Sequence, residues 1–425
     1  MRRGEPGGAR HGRQLLHRRP RLRVQHGLVQ LQLGGLVQLV VVELVGGLVV
    51  FVVILLVEGR RLQLEQLQLL LVQGRRGGRR RRIVQLFELV QLEKREVTRK
   101  LILRNHQSPG DIVMLTAAVR DLHLAHPGEF LTDVRTSCPD LWLYNPHLTA
   151  LSETDPEVEV VECHYPLIHR SNQTPYHFVH GFIEYLNDTL SLRIKPTAFK
   201  GDIHLSAQEK DWFLRVEEEK GPCAPFWLLA SGGKYDYTIK WWDHGRYQDV
   251  VDHFAGVVDF VQVGEANHHH PALRGTIDLR GQTSLRQLVR LMYHAQGALS
   301  AVSLLMHLAA AVEVKPSMPK NRPCVVIAGG REPPHFTAYP HHQFIHTVGA
   351  LACCDDGGCW KSRTRALGDG DTKDRPEELC VDPVGDLPRC MDMITSAEVI
   401  RRIEMYFQGG ALAVPSTAPA LAVTS

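Results

Sequence analysis

The chain has 425 residues, enough for two ordinary domains of roughly 150 residues each. Its net charge of +3 is divided: residues 1–93 hold 16 Arg and no Lys against 6 Glu and no Asp, a balance of +10, and the remaining 33 Lys and Arg face 40 Asp and Glu, a balance of −7. A mildly acidic body excludes a general nucleic-acid binder.

Residues 1–93 contain no Ser, Thr, Asp, Asn, Cys, Lys, Tyr or Trp. That vocabulary lacks the Asn, Asp and Ser that build ordinary turns and caps. Leu36 to Val57 is long enough to span a bilayer, broken only by Gln38, Glu43 and Gly46-Gly47. A cleaved signal peptide is disfavoured, because the apolar run lies deep and no small-residue cleavage site follows. The segment reads either as an anchor flanked by Arg79 to Arg82 or, preferred here, as translated sequence upstream of the true start.

From residue 97 short β-branched runs alternate with helical patterns. "KLILRN" predicts a strand and "DIVMLTAAVRDLHLAH" an amphipathic helix; "EFLTDVRT" and "VEVVECH" are strand-like and "PYHFVHGFIEYLNDTLSL" helical. After the charged linker "VEEEKGPCA", "PFWLLASG" opens a second series. A helix around "RYQDVVDHFAG", the strand "VVDFVQVG", the helices "SLRQLVRLMYHAQ" and "LLMHLAAAV" and the strand "PCVVIAGG" follow. "AEVIRRIEMYF" closes with a helix, and the small, Pro-interrupted tail from Gly409 predicts disorder. Alternating strands and helices imply parallel sheets, so the fold class is α/β with two Rossmann-like domains facing a cleft. The domains expected are a leader over 1–96, an N-terminal Rossmann-like domain over 97–220, a C-terminal Rossmann-like domain over 221–408 and a tail over 409–425.

The first strand runs into Ser108-Pro109-Gly110-Asp111. In an open parallel sheet, ligands bind where strands end and helices begin, and free amides there receive anions. Gly110 lets the backbone turn tightly, and Asp111 reads either as a helix N-cap or as a catalytic carboxylate.

Several segments together weigh on that choice. "LILRNHQSPGDIVMLTAAVRDLHLAHP" resembles the opening strand, Gly-Asp loop and helix of the ADP-heptose heptosyltransferases, inverting enzymes of GT-B architecture. "GTIDLRGQTSLRQLVRLMYHAQGALSAVSLLMHLAAAVEV" is similar to their nucleotide-binding region. "HYPLIHRSNQ", "HFVHGF", "IAGGREPPHF", "GGCWKSR" and "RCMDMIT" resemble the branch that modifies autotransporter adhesins. The resemblance covers residues 97 to 408 and implies that Asp111 is the general base, a role its chemistry suits: an inverting transfer needs a base for the incoming hydroxyl's proton.

The resemblance also implies that Lys240, before Trp241-Trp242, contacts the donor phosphates, with Lys234 a second candidate. Ser303 aligns with a phosphate-turn Ser/Thr, but Val302 and Leu304 replace the turn's acid and glycine. His307 either lines the cleft or is a buried core histidine; Arg331, in "GGREPP", either aids the diphosphate or belongs to an ordinary turn. No Asp-x-Asp triplet stands in a suitable loop, so no magnesium or manganese requirement is expected.

All nine cysteines follow residue 137, and five lie between 353 and 390. Four thiolates from a short turn and two later positions suit a closed tetrahedral site for iron or zinc. The resemblance implies a structural iron finger over 353–390. Cys354, Cys359, Cys380 and Cys390 are the chosen ligands, with Cys353 the alternative to Cys354. The implied activity is heptosyl transfer from ADP-heptose to Ser or Thr of an autotransporter-type protein. The alternatives are transfer to lipopolysaccharide core sugar and a non-catalytic metal-bound scaffold. A cytoplasmic protein, or one peripheral to the inner membrane, and a homo-oligomer are expected, with no nucleic-acid partner.

Overall fold

The computed structural model describes residues 98–165, 170–212 and 225–413, together with Val216, Glu218 and strands between Val24 and Arg61. Most of the predicted leader, the 220/221 domain boundary and the tail beyond 413 lie outside the described residues. Leu36–Val45 and Leu48–Val57 are antiparallel partners, so the apolar run is not one helix. Among the described residues no helix is long and apolar enough to cross a membrane. Residues 1–93 and 94–425 are separate compact units; the elements below belong to the second and are numbered from its first strand.

The N-terminal half holds three parallel strands, β1 (Arg99–Asn105), β2 (Phe130–Thr136) and β3 (Val158–Glu162), in the order β2-β1-β3. Between β1 and β2 runs α1 (Pro109–Ala125), every residue of which from Ile112 to Leu122 is buried. The amphipathic helix expected here is therefore a central one, enclosed by neighbours on all sides. The two charged residues of that buried stretch satisfy each other, Arg120 donating to Asp121 at 2.9 Å and to the Lys200 carbonyl at 2.9 Å.

The predicted helix from Pro175 starts five residues late, as α2 (His180–Leu190). The Phe178 amide is instead bonded to the Phe336 carbonyl of the C-terminal half at 2.7 Å, which holds the preceding residues out of the helix.

The C-terminal half is a six-stranded parallel sheet made of β4 (Phe226–Ala230), β5 (Asp259–Gln262), β6 (Ile277–Asp278), β7 (Gly297–Ala301), β8 (Cys324–Gly329) and β9 (His342–His346). The order is β6-β5-β4-β7-β8-β9, the doubly wound arrangement whose order reverses between β4 and β7. Both faces are covered, which is why β4, β7 and β8 are buried throughout. The covering helices are α3 (His244–His253), α4 (Leu285–His294), α5 (Leu304–Ala311) and α6 (Ser396–Gln408). In α6 the "MYF" residues are structural: Tyr406 Oη receives the Cys324 and Gln343 amides and reaches the His341 carbonyl at 2.7 Å, tying β8 to β9.

One core cluster holds residues of both halves, from Leu101 and Val113 to Met306 and Phe336; the other lies on the opposite face of the C-terminal sheet. Motifs remote in sequence join the halves. Asn172 bonds the Gly358 carbonyl and amide at 2.9 and 3.0 Å and accepts the Trp360 indole N–H, so "RSNQ" and "GGCW" form one contact.

Candidate active site

A cleft of about 480 Å³ opens where β1, β4 and β7 end, and Gly110, Asp111, Lys234, Lys240, Ser303, His307 and Arg331 all line it. Residues scattered over more than 200 positions of sequence are thus brought together at the switch point of the sheet.

Ser108, not Asp111, is the N-cap of α1, with extended backbone (φ −67°, ψ 157°). Asp111 stands three residues in, where its carboxylate accepts the Ser108 amide at 3.1 Å. The capping reading and the catalytic reading therefore coexist: one oxygen orients the side chain while the group faces the cleft. Burial pushes its carboxyl up to about 6, against the pull of Lys240, the Ser108 amide and Lys234, with Glu332 adding to the rise. A carboxylate in that range is poised to exchange a proton near neutrality.

Gly110 has a second reason to be glycine. A Cβ there would lie 2.9 Å from His307 Cδ2, because the imidazole fills the space beneath the loop. His307 is buried, its Nδ1 is 2.7 Å from Tyr339 Oη, and burial lowers its pKa to about 3. It is a neutral floor to the cleft, joining the two roles the sequence leaves open.

Lys240 ends Tyr235–Lys240, two short 3-10 turns after β4 that are kinked at Tyr237. Its ammonium pairs with Glu332 at 2.6 Å and reaches the Val302 carbonyl at 3.4 Å. Lys234 crosses to the N-terminal half, 3.5 Å from Ser108 Oγ.

Ser303 caps α5, its hydroxyl accepting the Leu305 amide at 3.3 Å. The turn keeps its helix start although Val302 and Leu304 replace the expected acid and glycine. Arg331 is more constrained than a free phosphate ligand: it donates to the Lys361 carbonyl at 2.8 Å, pairs with Glu332 and lies over the Tyr237 and Trp360 rings at 5.0 and 5.1 Å.

Sequence reading passed over Glu332, a carboxylate only 5 % exposed yet on the cleft wall. Its signal was its place beside Arg331 in "GGREPP". Phe178, Glu265, His268, His270 and Trp360 also line the cleft without having been singled out.

The cysteines gather at the back of the same loop. A Cβ on Gly330 would lie 3.2 Å from Cys354 Sγ and 3.2 Å from Cys390 Cβ, and the Cys359 amide bonds the Gly330 carbonyl at 3.1 Å. Burial, then Cys359, Cys354 and Cys380, raises the Cys353 thiol to about 11. Burial raises Cys390 to about 12, where Cys359, Cys380 and Cys353 also oppose its ionisation. The five thiols are within electrostatic reach of one another, and a cation among them would relieve that opposition. The donor chemistry fits a soft metal. Among the described residues, however, no group of three or more His, Cys, Asp or Glu is already arranged to hold one.

No family model and no curated protein sequence matches the chain. Solved structures do. The glycosyl transferase family 9 protein from Veillonella parvula aligns with 73% of this chain and 97% of its own at 13% identity, TM-score 0.51. The dodecameric iron-containing heptosyltransferase TibC of enterotoxigenic E. coli, in complex with ADP-D-β-D-heptose, aligns with 85% of this chain and 83% of its own at 14% identity, TM-score 0.50. E. coli ADP-heptose LPS heptosyltransferase II aligns with 74% and 100% at 15% identity, TM-score 0.48. Two parallel sheets about one cleft, joined in this order, give the chain the fold of the glycosyltransferases of family 9.

Proposed function

We propose that the chain is an inverting glycosyltransferase that moves heptose from ADP-heptose to an acceptor hydroxyl. The observation that carries the reading is Asp111, raised to about 6 inside a cleft it shares with Lys240 and the start of α5. Its carboxylate takes the acceptor proton as that oxygen attacks the anomeric carbon from the face opposite the diphosphate. The sugar–diphosphate bond breaks and ADP departs. Charge growing on the leaving group is met by the Lys240 ammonium and the α5 amides. The oxocarbenium character of the sugar is favoured by the same carboxylate.

TibC, named as an iron-containing heptosyltransferase bound to ADP-heptose, supports the donor assignment. Protein Ser or Thr is the acceptor proposed, with lipopolysaccharide core sugar the alternative. The same relative, named as dodecameric and iron-containing, supports a homo-oligomer and a bound iron; Cys354, Cys359, Cys380 and Cys390 are the ligands proposed here, for a structural iron or zinc. Free thiols suit a reducing cytoplasm. Against a non-catalytic scaffold stands the intact helix start at Ser303.

Intact-mass analysis of an acceptor incubated with ADP-heptose, and ADP release from donor alone, test the reading. Asp111→Asn should fold and lower turnover by about 10²–10⁴-fold, the range of a lost general base. A protein that binds no nucleotide sugar, or an unimpaired variant, would sink it.

A further inference from the structure

Lys240 stands between two carboxylates. Glu332 pairs with it at 2.6 Å, while Asp111 lies close enough for each to alter the other's proton affinity. Glu332 has no comparable freedom. It is 5 % exposed and also pairs with Arg331, which Lys361, Trp360 and Tyr237 hold in place. An ammonium has three protons to place. Glu332 takes one and the Val302 carbonyl is within reach of a second, which leaves the third for the cleft.

Resting on the donor reading above, we infer that Glu332 is the positioning residue of the diphosphate site: its carboxylate keeps the Lys240 ammonium charged and turned into the cleft. Burial disfavours an ammonium and lowers the Lys240 pKa, and Glu332 is the largest influence opposing that loss. The other charged groups acting on Lys240 are Arg331, which also lowers it, and Asp111, which raises it. Around Glu332 itself the groups are Lys240, Arg331, the neutral His307, the Asp111 carboxyl, which Glu332 raises, and the buried Tyr165 hydroxyl. A rival role is open to the same geometry: Glu332 could be an anion that merely occupies Lys240 until a diphosphate displaces it. The two roles predict opposite signs. A placeholder's removal tightens donor binding; a positioning group's removal weakens it, and more so as pH rises.

ADP alone is the probe, with affinity read by calorimetry at about pH 6.5 and about pH 9. Wild type should bind similarly at both. Glu332→Gln should bind within about threefold of wild type at the lower pH and lose about tenfold or more at the higher, as the unsupported ammonium gives up its proton. Placing Lys240→Arg in the Glu332→Gln background should abolish that pH dependence, because a guanidinium stays charged. Glu332→Asp keeps the charge and serves if the amide variant is unstable; it should follow wild type across the range. Parallel pH profiles for Glu332→Gln and wild type, or tighter ADP binding in the variant, overturn the inference alone. Absence of ADP binding by the wild-type chain overturns the donor reading with it.

Discussion

At the scale of single residues, the cleft is a small set of coupled charges. Asp111 acts as a base only when ionised, and burial holds its carboxyl at about 6. Transfer should therefore rise as pH climbs through about 6 and level off above it; a flat profile from about pH 5 to about pH 8 would remove Asp111 from the role. Lys240→Ala should cost about 1.5–3 kcal/mol of donor binding or leaving-group stabilisation, roughly tenfold to a hundredfold, with the fold unchanged. Unchanged kinetics would move that role to Lys234 or Arg331. Asp111, Lys240 and Ser303 were singled out through the resemblance of their segments to the heptosyltransferases; spacing alone left Asp111 reading as a cap. Glu332 was not: its importance comes from Lys240, some ninety residues away, and no local pattern announces such a pairing. Nor does any pattern reveal that Gly110 makes room for His307. A methyl at that position must displace the ring, so Gly110→Ala should lose about 1–3 kcal/mol of stability and disturb the start of α1, visible as a lower Tm with weaker donor binding.

At the scale of elements, periodicity predicted where chemistry would lie better than it predicted edges. β1, α1, β4 and β8 appear where their apolar runs place them. β7 was missed because Gly297-Ala298-Leu299-Ser300-Ala301 has little β-branched character. Its small residues are explained by packing, since a Cβ on Gly297 would fall 2.4 Å from the Trp227 ring. The cysteine segment shows the converse. Its clustering was plain in sequence, but its attachment to Gly329-Gly330 was not, and that attachment changes what metal removal should do. The Cys359 amide bonds Gly330, and the next residue, Trp360, bonds the Arg331 carbonyl at 3.2 Å and lies against its guanidinium. The proposed site, being closed, would offer no position to substrate, yet the cysteine segment is continuous with the loop that carries Glu332. Protein prepared without oxygen should contain about one iron or zinc per chain. A chelator should increase amide exchange from Leu351 to Met393 and weaken ADP binding together. Metal-free protein with full protection there would reject the site, and exchange that rises while ADP binding holds would show the loop to be independent of it.

At the scale of the whole molecule, residues 94–425 form a compact unit of their own, so a chain beginning near Val97 should fold and turn over donor as the longer one does. Aggregation of the shorter chain would show that residues 1–93 belong to the structure. The two halves of the body are fixed to each other by more than apolar contact. Glu209, of the N-terminal half, is 4 % exposed; it pairs with Arg286 at 2.6 Å and Arg290 at 3.0 Å, both on α4 of the C-terminal half. Arg286 also donates to the His204 carbonyl at 2.7 Å. The first turn of α4, at Ser284 and Leu285, is cleft wall, so this cluster sets the spacing across which donor and base must meet. Burial alone would raise the Glu209 carboxyl, but the hydrogen bond from Arg286, the Ser206 amide and Arg290 outweigh it and bring it to about 2, below the ordinary 4.5. A depressed folded value means that the stabilisation is present above about pH 4.5 and is lost as pH falls toward about 2. Glu209→Gln leaves the buried Arg286 and the half-buried Arg290 sharing a neutral partner. It should destabilise the body by about 3–5 kcal/mol and flatten the acid limb of the stability curve. Binding of ADP, which touches mainly the C-terminal half in the proposed pose, should survive in the fraction that stays folded, while transfer, which needs Asp111 brought to the donor from the other half, should fall further. Equal losses of binding and transfer would mean that the cluster supports the C-terminal half alone and does not set the distance between the two.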